Sequence, residues 1–118
     1  DCYNANPSSM EVALDNIATM EAEHKVLILG DMLELGKWSE EAHINILRKA
    51  NAIAERIVLV GKEFTNAYKK SEGLHSNYAL YPTTAEALAA LEKEPIEGAL
   101  VLLKGSRGIK LEKLIERL

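Results

Sequence analysis

Three short aliphatic runs, KVLILG at 25–30, RIVLVG at 56–61 and GALVLLKG at 98–105, constrain this chain more than any other feature. Each is rich in Val, Ile and Leu without polar alternation, and each closes on Gly. A strand with one face in water alternates polar and apolar residues. A strand covered on both faces does not, so these runs read as buried strands of a parallel sheet.

The segments between them carry helical periodicity. Trp38 to Ala54 places Ala42, Ile46, Ala50 and Ile53 on one face, and Thr84 to Lys93 groups Ala87, Leu88 and Leu91. Glu63 to Lys70 reads as a shorter helix, Asn77 to Leu80 as an edge strand, and Ile109 to Leu118 as a closing helix with Leu111, Leu114, Ile115 and Leu118 facing inward. A further helix starts near Pro7: the Asn6 side chain can cap it, the missing N–H of Pro costs nothing in a first turn, and Met10, Ala13, Leu14, Ile17 and Ala18 form its apolar stripe. Alternating strands and helices predict right-handed crossovers and an α/β fold, a Rossmann-like three-layer sandwich with a mostly parallel sheet and helices on both faces. Ligands of such sheets bind beyond the carboxyl ends of the strands. Those ends carry Gly30-Asp31, Gly61-Lys62 and Lys104-Gly105-Ser106-Arg107-Gly108.

Composition narrows the function classes. The 118 residues suit one domain, and 47% hydrophobic residues suffice for one aliphatic core. The formal net charge of −4 is spread without a basic block, which argues against nucleic-acid binding. A single cysteine, Cys2, allows neither an intrachain disulfide nor a cysteine-based zinc site and fits a reducing cytoplasm. No apolar stretch approaches the ~20 residues of a membrane span, so no membrane insertion is expected. His24, His43 and His75 lack metal-ligand spacing, and no metal site is assigned.

Three stretches can carry chemistry. LKGSRG at 103–108 combines two glycines that admit close backbone approach, the Ser106 hydroxyl, and the Arg107 fork suited to a carboxylate or phosphate. A plain strand-to-helix turn explains it equally well. GDMLELG at 30–36 offers Asp31 and Glu34 to an amine or a magnesium ion; alternatively its apolar residues fold back on the core while both carboxylates point into water. His43 follows in SEEAHINIL, where the ordinary reading is a helix residue with a satisfied ring. The opening DCYNANPSSM, with no Met before it, supplies Asp1, able to accept two ribose hydroxyls, and Tyr3, able to pack on a flat ring. The competing account is a helix cap preceded by a frayed terminus. The GxxxxGK[ST] phosphate loop is absent.

Taken in order, DCYNANPSSM, LGDMLELG with SEEAH, and LLKGSRG resemble the C-terminal domain of the Mur ligases over essentially the whole chain, 1–118. Within that family they look like the branch that adds a dipeptide. The resemblance implies a three-domain ATP-dependent ligase whose N-terminal domain binds a UDP-sugar and whose central domain holds the phosphate loop and Mg2+. Its substrates would be a UDP-N-acetylmuramoyl-tripeptide and D-alanyl-D-alanine, used in cytoplasmic peptidoglycan precursor synthesis. It further implies that Asp1, with Tyr3, Asn4 and Asn6, lines the ATP cleft. Ser106 and Arg107, aided by Lys104, would meet the dipeptide carboxylate, while Asp31, Glu34 and His43 shape the amine pocket or support its loop. With the other two domains missing from these residues, no catalytic residue is assigned here and the isolated chain is expected to be inactive. Two other classes remain in view: a stand-alone nucleotide- or peptide-binding module, and a different amino-acid ligase of the Mur or folylpolyglutamate type.

Overall fold

In the computed structural model, which describes residues 5–106, the chain forms a four-stranded parallel sheet in the order β3-β2-β1-β4. The elements run α1 (Pro7–Thr19), β1 (Lys25–Gly30), a 3-10 turn (Gly36–Trp38), α2 (Ser39–Asn51), β2 (Arg56–Val60), α3 (Lys62–Lys70), β3 (Tyr78–Tyr81), α4 (Thr84–Lys93) and β4 (Leu100–Lys104). The three aliphatic runs are all strands, each paired in parallel with its neighbours. The expected edge strand is present one residue later than its sequence suggests, and the expected closing helix at 109–118 lies outside the described residues.

Because the strands are covered on both faces, alternate side chains serve two different cores. Leu27, Leu29, Ile57 and Leu59 pack with Met10, Leu14, Ile46, Leu47, Phe64 and Ala67 beneath α1, α2 and α3. Val26, Ile28, Val58 and Val60 turn the other way, onto Ala87, Leu91 and Ile96 of the α4 side. This is the three-layer arrangement that uninterrupted apolar strands require. Helix α1 starts as its sequence dictates: the Asn6 side chain accepts from the Ser9 amide at 2.9 Å, and the Ser9 hydroxyl accepts from the Asn6 amide at 3.0 Å. Its stripe is narrower than expected, with Met10, Leu14 and Ile17 buried and Ala18 exposed. In α2 the buried face is Ser39, His43, Ile46, Leu47 and Ala50, with Ala42 at its margin, and the helix ends at Asn51, so Ile53, expected on its apolar face, lies beyond it.

After β1 the chain steps to β2 and then β3; after β3 it returns across the sheet to β4 on the other side of β1. The strand order reverses at β1, which lies between β2 and β4, and ligands of α/β sheets bind at the carboxyl ends of the strands at such a switch point. Main-chain bonds continue past the strand ends there: Asp31 N–H to Val60 at 3.1 Å, Gly61 N–H to Tyr81 at 2.9 Å, and Ser106 N–H to Asp31 at 3.0 Å.

Gly61 closes β2 with φ +117, a left-handed value that L side chains rarely adopt, and a Cβ there would lie 2.3 Å from the Asp31 carboxyl carbon. Gly73 also has positive φ, +79, but open space around it. Gly61→Ala should therefore cost about 2–4 kcal/mol, combining backbone strain with overpacking, while Gly73→Ala loses the strain alone. Denaturant unfolding of the two variants checks this, and equal losses would show that the approach of Asp31 is not the constraint.

Candidate functional site

The carboxyl edge is organised by Asp31, which is 2% exposed. Helix α3 has no cap from its own N-cap residue, because that residue is Gly61. Asp31 caps it across the sheet: its two carboxylate oxygens accept from the amides of Glu63 and Phe64, both at 2.9 Å. These are donors a helix leaves unpaired at its start, and the positive end of the helix dipole favours the negative charge. Burial pushes the Asp31 carboxyl above its ordinary value, opposed by the two amide bonds. The expectation that Asp31 points into water is thus corrected: it points inward, because the orphaned amides of α3 need it there.

His43 is fully buried and fixes the loop after Asp31. Its Nε2 accepts from the Met32 amide at 3.0 Å, and its Nδ1 lies 2.7 Å from the Ser39 carbonyl, an arrangement that places the ring proton on Nδ1. The ring also meets Phe64 edge-on at 4.5 Å between centroids. Ser39 donates from its hydroxyl to Glu63, which closes a network running from Met32 through His43, Ser39 and Glu63 to Asp31.

Ser106 joins this edge to the beginning of the chain. Its hydroxyl oxygen accepts from the Leu33 amide at 2.9 Å, and the hydroxyl donates to the Ala5 carbonyl at 3.3 Å. The hydroxyl is therefore occupied within the fold. Lys104 is 4% exposed at the end of β4 and is not a free cation. Asn6 spends its side-chain oxygen on the α1 cap. Asp1, Tyr3, Asn4 and Arg107 lie outside the described residues.

Glu34 differs from all of these. It is exposed, and its backbone is left-handed at φ 63, beside Gly36 at φ 57. Glu34, Leu33, Leu35, Lys62 and Glu63 line a hollow of about 260 Å³ at the start of α3. The sequence puts Gly61-Lys62 at a strand end without giving either residue a role; the Gly that closes RIVLVG is the signal for the close approach of Asp31. Among the described residues no group of three or more His, Cys, Asp or Glu converges as metal ligands would.

The model of the family described as "Mur ligase, glutamate ligase domain" matches residues 1–107. The chain belongs to the Mur ligase family. It is 44% identical over 97% of its length to the UDP-N-acetylmuramoyl-tripeptide–D-alanyl-D-alanine ligase of Treponema pallidum and 34% identical over its full length to that of Escherichia coli. In each case it spans 26% of the relative. Among solved structures it resembles a MurF from Acinetobacter baumannii, with a TM-score of 0.78 and 34% identity over 98% of this chain and 26% of that one. A MurF ligase from Thermotoga maritima in complex with ADP shares the fold, with a TM-score of 0.76 at 23% identity over 99% of this chain and 26% of that one.

In this Mur ligase domain Asp31 and Ser106 lie at the strand ends where the sequence puts them, and Ser39 and His43 join them, but the polar atoms of all four serve the fold. Asp31→Ala should leave two buried amides unpaired and cost about 2–5 kcal/mol. A carboxyl raised by burial binds its proton more tightly in the folded state, so its contribution is full below the ordinary value of 3.8 and falls as pH rises through the folded value. Relative to Asp31→Asn, the wild type should lose stability across that window. An advantage that grows with pH instead would mean that the amide bonds outweigh burial.

Proposed function

We propose that this chain is the C-terminal domain of a three-domain ATP-dependent ligase that joins D-alanyl-D-alanine to a UDP-N-acetylmuramoyl-tripeptide, in the cytoplasm, during peptidoglycan precursor synthesis. The observation that carries this reading is the near-complete alignment of the chain with relatives bearing that name, at 44% and 34% identity. ATP supplies the activation of the tripeptide carboxylate, and the dipeptide amine then displaces phosphate. Mg2+ and the phosphates of ATP are held mainly by the central domain, the UDP-sugar by the N-terminal one. On this reading Asp1, with Tyr3, Asn4 and Asn6, is assigned to ATP binding, and Arg107, with Ser106, to the dipeptide carboxylate.

The domain's contribution is positional. A carboxylate activated with phosphate is hydrolysed readily in water, so holding the amine close and excluding solvent raises the yield of the amide bond. Closure of this domain over the central one supplies both. The rim is braced for such a motion, since Asp31 ties the β1 end to α3, and Ser106 ties the loop after β1 to the segment that enters α1.

In the full-length protein, phosphate release with ATP and the UDP-linked tripeptide should depend on D-alanyl-D-alanine, and the 118-residue chain alone should give none. Preference for a single amino acid would move the protein to another branch of the family. Turnover by the isolated chain would contradict the domain reading.

A further inference from the structure

The titratable side chains buried among the described residues are Asp31, His43 and Lys104, and histidine is the residue type that changes charge in the neutral range. His43 has no exposed surface, and both of its ring nitrogens are engaged. Its Nδ1 faces two oxygens of Ser39, the carbonyl at 2.7 Å and the hydroxyl at 3.2 Å. The hydroxyl gives its own proton to Glu63, so towards the ring it can only accept, and a carbonyl has no proton to give. The ring proton therefore sits on Nδ1, which leaves Nε2 as the acceptor of the Met32 amide at 3.0 Å.

The amides on either side of Met32 are held by groups that do not titrate: Asp31 N–H by the Val60 carbonyl at 3.1 Å, and Leu33 N–H by the Ser106 hydroxyl at 2.9 Å. The loop leaving β1 is thus fastened at one point by a ring that can take a second proton. That proton has only Nε2 to go to, where it would confront the Met32 N–H, two donors 3.0 Å apart and out of contact with solvent. The charged groups around the ring are the carboxylates of Asp31, at the end of β1, and Glu63, on α3, and both favour a cation. Phe64 of α3 meets the ring with its edge, and α1 turns only Met10, Leu14 and Ile17 inward. The carboxylates draw a second proton in, while the geometry gives it no place beside the Met32 amide. The bond that yields is the one to Met32.

We infer that His43 is a proton-operated latch for the loop after β1: neutral, with its proton on Nδ1, the ring holds Met32 on the rim, and a second proton at Nε2 releases it. This goes beyond the ligase reading and does not depend on it.

The test is amide hydrogen exchange in the full-length protein, expressed at each pH as protection relative to the unfolded chain, with the ring nitrogens of labelled histidine read by NMR in parallel. At about pH 8 the His43 ring should be the Nδ1–H tautomer and the Met32 amide protected; at about pH 5 the ring should carry both protons. Across that change Met32 should lose protection by about tenfold or more, while the Asp31 amide keeps its own. His43→Gln, whose side-chain oxygen offers an acceptor that takes up no proton in this range, should protect Met32 and lack the acid step. His43→Leu should leave Met32 unprotected at both pH values. An Nε2–H tautomer at the higher pH, or a wild-type Met32 equally protected at both, overturns the latch, and these wild-type measurements decide even where a variant does not fold. An acid step that persists in His43→Gln overturns it by assigning the step to Asp31 or Glu63. A loss that takes in the Asp31 and β1 amides together overturns it as general unfolding.

Discussion

Removing a carboxylate from water is costly unless both oxygens find donors, and in this fold the first amides of α3 offset part of that cost. The Glu63 and Phe64 N–H groups would themselves be orphaned, since the residue before the helix is a glycine with no capping side chain. Asp31 and α3 therefore solve each other's problem. Gly61 is the condition for it, because any side chain at that position would occupy the space of the carboxyl group. The result is a bond from the end of β1 to the helix that follows β2, reinforced by the main-chain bonds that extend the sheet past Gly30 and Val60.

From that point the rest of the rim is built outward. With Asp31 fixed, Met32 is held by His43 and Leu33 by Ser106, and Ser106 in turn reaches the Ala5 carbonyl at the entry to α1. Elements that leave the sheet in different directions are thus joined by side-chain bonds at one edge. On the proposed reading, in which this domain closes over another, such an edge is needed, since binding geometry set by loose loops would be lost during the motion. Glu34 and Lys62 are exposed one layer farther out, their side chains without a bond to another described residue, on a base that the buried groups hold still.

The sheet is legible in the sequence because its signal is local. Uninterrupted Val, Ile and Leu runs ending in Gly can be seen within six residues, and the Asn6-Pro7 start of α1 and the bounds of α4 depend on neighbours in the chain. The start of α2 is less clear, since Trp38 belongs to a 3-10 turn that leads into it. What the sequence does not reveal is where the polar side chains of the rim turn. The donors to Asp31 lie 32 and 33 residues away, and the partners of Ser106 lie 73 and 101 residues away. No periodicity encodes such pairs. His43 is the intermediate case: Ser39 and His43 are one helical turn apart, so SEEAH holds half of the network, and the Met32 amide completes it only after the chain has folded back.

Asp31 is an interior brace whose carboxylate locks the rim, and hydrogen exchange reads this directly. In the intact protein the amides of Met32, Leu33, Glu63 and Phe64 should exchange as slowly as those of β1 and β2, and in Asp31→Asn the Glu63 and Phe64 amides should lose that protection first. Exchange at those four positions as fast as at the exposed loops, in the wild type, would contradict the account.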